Sequence, residues 1–152
     1  MTRTLAILAT AVAAASILAA ADSGKAATAG CKSGVTTVDG SPARVFCGPA
    51  KASVRIGGKT LSFANGLCEQ SGGGFVVNIG TFFPSSDTSK RPYLGLLVAK
   101  PRPGAYTRQQ LSFRSGGVGR SAFVTVKLKS LRGGTFSGSA LGGAQVTGSF
   151  SC

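Results

Sequence analysis

The chain has 152 residues, with 17 Lys+Arg against 4 Asp+Glu, no His, no Trp, 4 Cys and 23 Gly, giving a formal net charge of +13. At 43% hydrophobic and 14% charged it carries enough apolar material for one buried core, which excludes a disordered tail. Without His the commonest general base and transition-metal ligand is missing, and four acids give little scope for paired carboxylates, so a noncatalytic protein with no cofactor and no metal is expected.

Met1-Thr2-Arg3-Thr4 carries one positive charge, and the run Leu5 to Ala21 holds no charge and only Thr10 and Ser16 as polar residues. That is the layout of a secretory signal peptide. Ala19-Ala20-Ala21 offers small residues before a cut at Asp22, and Ala27-Thr28-Ala29 offers a second option before Gly30. An uncleaved anchor would need about 20 apolar residues, more than this run supplies. Lipidation of Cys31 is a further route, since Thr28-Ala29-Gly30 are small. Against it, Thr28 stands where Leu is usual, and Asp22-Ser23-Gly24-Lys25 separates the apolar run from the cysteine. The expected organisation is a signal peptide over 1–21, a flexible segment over 22–30 and one domain over 31–152. The protein is read as secreted, or held at the cell surface, with no membrane span after processing.

All four cysteines, Cys31, Cys47, Cys68 and Cys152, lie beyond the leader, an even set carried into an oxidising compartment, so two disulfides are expected. A zinc site would want CxxC-like or His-containing spacing, and a Cys nucleophile would want a His base; neither is present. Four cysteines allow three connectivities, which spacing leaves open.

After residue 30 the hydrophobic periodicity is 2 rather than 3.6, in short segments. Asp39-Gly40 is a turn signal, and Ala43 to Cys47 reads as a strand. Val54-Arg55-Ile56, then Gly57-Gly58, then Lys59-Thr60-Leu61-Ser62-Phe63 reads as a β-hairpin, because paired glycines tolerate the positive φ of a tight turn. Phe75-Val76-Val77-Asn78-Ile79 turns Phe75, Val77 and Ile79 inward. Pro84 to Pro92 and Lys100 to Gln110 read as exposed loops around a strand at Tyr93 to Ala99, followed by one at Leu111 to Arg114. Between Ala122 and Lys129, Ala122, Val124, Val126 and Leu128 share the inner face. Strands at Thr135 to Leu141 and Gln145 to Cys152 close the chain, the last with Val146, Phe150 and Cys152 on one side. The fold class is therefore all-β: a single small β-sandwich or partly closed barrel of about eight short antiparallel strands.

Val38-Asp39-Gly40, Val45-Phe46-Cys47, Val54-Arg55-Ile56-Gly57-Gly58, and Gly134-Thr135-Phe136-Ser137-Gly138 leading to Val146-Thr147-Gly148-Ser149-Phe150-Ser151-Cys152, taken in order, resemble the mycobacterial 19-kilodalton lipoprotein antigen family. The resemblance implies an exported, surface-located β-rich domain with adhesive or host-interacting roles and no catalysis. It also implies that Cys47 pairs with Cys152, leaving Cys31 with Cys68. The chain departs from that family in its degraded lipidation motif and its two additional cysteines.

Of the acids in the domain, Asp39 and Asp87 fall in turn or loop sequence and Glu69 follows Cys68, and neither Ser-x-x-Lys nor Gly-x-Ser-x-Gly occurs. The basic excess is the main binding signal. Arg55, Lys59, Arg114, Lys127 and Lys129 are expected on outward faces, with Lys100 and Arg102 in a loop. Such a field attracts anionic envelope polymers by salt-sensitive electrostatics, or else keeps the protein, which is expected to be a monomer, soluble. A host or extracellular protein is the other partner class considered, and specific nucleic-acid readout is not expected, since no zinc-finger spacing or recognition helix is present. The alternative function is inhibition of a hydrolase by a disulfide-stiffened loop such as Lys100 to Arg108.

Overall fold

The structure, a computed structural model, describes residues 30–84 and 91–152. The leader expected over 1–21, nearly all of the segment 22–30, and Asp87 lie outside the described residues. Ten strands follow one another: β1 (Gly34–Val38), β2 (Ser41–Phe46), β3 (Ala50–Ile56), β4 (Lys59–Ser71), β5 (Gly74–Phe82), β6 (Tyr93–Val98), β7 (Gly104–Ser115), β8 (Val118–Ser130), β9 (Gly133–Ala140) and β10 (Gln145–Ser151). There is no helix among the described residues, and thus none long and apolar enough to cross a membrane.

Of the two architectures left open by the sequence, the chain adopts the barrel. Strands β3 to β10 pair antiparallel, each with the next, and β10 returns to β3 through Val146↔Ile56 to Ser151↔Lys51, so eight strands close on themselves. The hairpin β1–β2 is appended outside that ring, where Arg44 to Phe46 pair with Gly80 to Phe82 of β5. Closure needs strongly curled strands. The curl is taken up at bulges between Tyr106 and Gln109 on β7, between Leu128 and Ser130 on β8, and between Phe63 and Gly66 on β4, opposite Ala50 to Ala52 of β3.

An eight-stranded barrel has an interior just wide enough for side chains to fill it. Here it is filled by the inward alternates: Val54 and Ile56, Phe75, Val77 and Ile79, Leu94, Leu96 and Val98, Leu111 and Phe113, Val124, Val126 and Leu128, and Val146 and Phe150. No polar side chain is buried among the described residues. Glycine on β10 makes room for the rings: a Cβ at Gly148 would overlap the carbonyl oxygen of Ser53 and the ring of Phe136. Phe75 and Phe150 meet at 6.1 Å between ring centres.

The hairpin expected at 54–63, the inward set of residues 75–79 and the inner face of 122–128 are all found. Two expectations change. Lys100 to Gln110 is not all loop, because β7 begins at Gly104, opposite Leu128 of β8; in its first half only Tyr106 packs against the core, so no apolar alternation could reveal it. The disulfides are Cys31–Cys47 and Cys68–Cys152, not the Cys47–Cys152 and Cys31–Cys68 pairs implied by the family resemblance. Antiparallel pairing explains the choice. Cys152 follows Ser151, which faces Lys51 at the start of β3, while Ala50 faces Gly66 two residues before Cys68. The end of β10 is thus carried to β4, whereas Cys47 leaves β2 on the side where Cys31 enters β1.

Candidate anion-binding face

Because inward positions take the apolar residues, the outward positions of β4, β3, β10, β9 and β8 are left mainly to small hydroxyls and cations, with Phe123 of β8 an exposed apolar exception. Registers place them in rows across the five strands. One row runs Thr60, Arg55, Thr147, Ser137, Thr125; the next runs Ser62, Ser53, Ser149, Thr135, Lys127. All of these except Ser62 line a shallow external groove of about 450 Å³, with Arg55 entering from β3 and Lys127 from β8. Short side chains between the two cations leave a surface over which an elongated ligand can lie without displacing anything. Arg55 and Lys127 are both exposed, so their charge is fully solvated in the free protein.

The structure brings together only part of the sequence-derived cation set. Arg55 and Lys127 share the groove. Lys129 lies at its lower end beside Arg132, lining a second shallow depression with Ser149 and Ser151. Lys100 and Arg102 belong to the β6–β7 connection, which opens at the same end because Gly104 faces Leu128. Lys59 stands opposite the inward Ile56, at the far mouth of the barrel and not on the outer face. Arg114 is half-buried on the other side of the molecule, opposite Tyr93 of β6 and Gly119 of β8. Sequence reasoning missed the hydroxyls of Ser53, Thr135, Ser137, Thr147 and Ser149; for Thr147 and Ser149 the signal was present, since they occupy the polar parity of a strand whose inward Val146 and Phe150 were recognised.

The remaining polar geometry is structural. Arg91 donates from Nε to Asp39 Oδ2 at 3.0 Å and from Nη2 to Oδ1 at 3.1 Å. That hydrogen bond holds the Asp39 carboxyl below its ordinary range. Tyr93 lies over Gly95 and donates to Asn78 Oδ1 at 3.0 Å, and burial raises its phenol pKa. Glu69 is exposed on β4, opposite Val76, while Asp39 sits in the β1–β2 turn. No group of three or more His, Cys, Asp or Glu able to hold a metal occurs among the described residues.

The β6–β7 connection is held by hydrogen bonds and not by the disulfide the inhibitor reading assumed. Ala99 N donates to Gln109 Oε1 at 2.7 Å, and Tyr106 Oη donates to the Arg102 carbonyl at 2.9 Å. Both disulfides lie elsewhere, at β1–β2 and at β4–β10. Comparison of the chain with protein-family models, curated proteins and solved structures finds no match.

Proposed function

We propose that the protein is an exported, noncatalytic binding module that engages anionic envelope polymers along the outer face of β8–β9–β10–β3–β4. The observation that carries this reading is the pairing of Arg55 and Lys127 in one hydroxyl-lined groove. Two cations separated by small donors suit a chain of repeating phosphates or carboxylates, with Ser and Thr hydroxyls donating to the oxygens between them. The overall charge of +13 adds long-range attraction that speeds encounter without selecting a sequence.

The test is binding of a glycerol-phosphate polymer across a salt series, with uncharged dextran as control. Affinity for the polyanion should fall steeply with salt. R55E/K127E should flatten the log–log salt slope by about 2, roughly one unit per lost phosphate contact. K59E/R114E changes the net charge equally but leaves the groove intact, so it should cost clearly less. Equal losses in the two double variants would reduce the effect to net charge and defeat the assignment of the groove.

A second reading rests on the pinned β6–β7 connection, which presents exposed Lys100 and Arg102 from a backbone tied by Gln109 and Tyr106. A loop so held binds a hydrolase cleft with little ordering cost. Inhibition of this kind should survive high salt and vanish when the loop is nicked.

A further inference from the structure

Strand β1 pairs with β2 on one side and with nothing on the other among the described residues. It contributes nothing to the core: four of its five residues are exposed, and Val35 is 82% exposed. Yet it is fastened at both ends. At its start, Cys31 is bridged to Cys47, and Ser33 Oγ accepts from Cys47 N at 2.9 Å. At its end, Asp39 in the turn holds Arg91 through two hydrogen bonds. The sequence Gly34-Val35-Thr36-Thr37-Val38 has none of the devices that blunt an open edge: no Lys, no Pro, no bulge. Its partner strand does carry one, Pro42.

The direction of the free backbone groups follows from the turn. Asp39 and Gly40, at φ 52° and 77°, make a two-residue hairpin loop closed by the pair Val38↔Ser41. In an antiparallel ladder hydrogen-bonded pairs alternate, so Val38, Thr36 and Gly34 face β2, while Val35 and Thr37 aim N–H and C=O outward. Pro42 agrees, since it sits opposite Thr37, where no donor toward β1 is required. Two donors and two acceptors are thus presented at a preorganised edge.

We propose that this edge pairs with the β1 edge of a second copy of the chain, antiparallel and about a two-fold axis through Thr36. In that register Val35 lies opposite Thr37 of the second copy and Thr37 opposite its Val35, so all four outward groups of each edge are matched. Thr36 meets Thr36 at the axis. Residues 33–38 carry no charge, so the centre brings no like charges together despite the strongly basic chain. Lys32 of one copy comes next to the Asp39 turn of the other at both ends, where the carboxylate already paired with Arg91 keeps the added cation from meeting an uncompensated positive charge. The pairing is isologous and closes at two copies, which separates it from open-ended edge aggregation. It replaces the monomer expected from sequence and is independent of the anion-binding face.

The experiment is sedimentation equilibrium of the purified protein up to about 1 mM, in about 0.5 M salt so that the net positive charge is screened. The wild type should show a monomer–dimer equilibrium. T37P removes an outward N–H that the monomer does not use, and V35K charges the edge. Each should weaken the dimer at least about tenfold while leaving the far-UV spectrum unchanged. T36C should form a disulfide-linked dimer under mild oxidation, and L141C, at an exposed site on the β9–β10 turn, should not. A wild type that stays monomeric throughout, a dimer indifferent to both T37P and V35K, or a dimer that T36C fails to cross-link would each overturn the proposal.

Discussion

Removal of the two disulfides one at a time separates the barrel from its appendage. Cys68–Cys152 spans 84 residues and Cys31–Cys47 spans 16. In the chain-entropy model the longer loop removes about 15 cal/mol/K from the unfolded ensemble, about 4.6 kcal/mol at room temperature, and the shorter about 3.1 kcal/mol. A domain of about 120 residues unfolds with an entropy of about 0.25 kcal/mol/K, so C68A/C152A should lower Tm by about 18 °C. The same arithmetic gives about 12 °C for C31A/C47A, but location intervenes. The longer bridge links β4 to the end of β10 on either side of β3, where the ring closes, so no part of the barrel can open without feeling its loss. The shorter one ties β1, which buries nothing, and β1 can detach as a local unit while the ring stays folded. C31A/C47A should therefore lower the main transition by well under half of the 12 °C, while amide exchange in 33–38 rises at temperatures far below it. Thermal unfolding followed by circular dichroism, with exchange read by mass spectrometry, measures both. Equal Tm losses in the two double variants, or unchanged exchange of β1 in C31A/C47A, would refute the division.

Other consequences follow from packing and charge. Leu111 is fully buried inside the ring, so L111A should cost about 3 to 4 kcal/mol in denaturant unfolding, with the m-value unchanged. G148A forces a methyl against the Ser53 carbonyl and the Phe136 ring and should cost about 2 to 3 kcal/mol; G57A, in an open turn, should cost only about 1 kcal/mol. The ion pair at the β1–β2 turn sets an acid limit. Because the folded Asp39 pKa is depressed, its contribution is complete above the unfolded value of about 3.9 and is lost as pH falls through the lower folded value. Proteolysis of the hairpin by an acid protease should accelerate as pH drops below about 4 in the wild type, whereas D39N should be cut fast already at higher pH.

The strands most legible in the sequence are those that bury one face. Val54 and Ile56, Phe75 to Ile79 and Ala122 to Leu128 alternate because they line the interior, and the glycine doublet at 57–58 marks its turn by the positive φ it must adopt. Segments with no alternating buried face stayed silent: β1 and the first half of β7, where Tyr106 alone packs against the core, are held by ladder bonds and bulges, which leave no hydrophobic pattern. Disulfide pairing was illegible for a different reason. It depends on where β10 arrives relative to β4, a consequence of ring closure that no local pattern encodes. Of the seven cations singled out from sequence, two share the groove. Strand parity shows which residues point outward but not which strands become neighbours, and Arg55 meets Lys127 only because β10 and β9 lie between β3 and β8.

The filled interior also decides where chemistry can happen. Barrels of this strand number can enclose a small ligand if their inward residues are small or the ring is round. Here Phe75, Phe113, Phe136 and Phe150 occupy the inside, and at Gly148 the Phe136 ring takes the space a side chain would have used. Enlarging the lumen would require removing rings whose burial stabilises the fold, at about 3 to 5 kcal/mol each. The proposed recognition is thereby left to the outside of the sheet, where most outward residues between Arg55 and Lys127 are Ser and Thr whose hydroxyl groups lie within reach of a long ligand. A face of this shape discriminates poorly among small molecules, since it encloses none of their surface, but it gains with every repeat of a polymer laid along it. Ligand length should therefore matter more than ligand identity: a glycerol-phosphate oligomer too short to reach from Arg55 to Lys127 should bind far more weakly per phosphate than one that spans both.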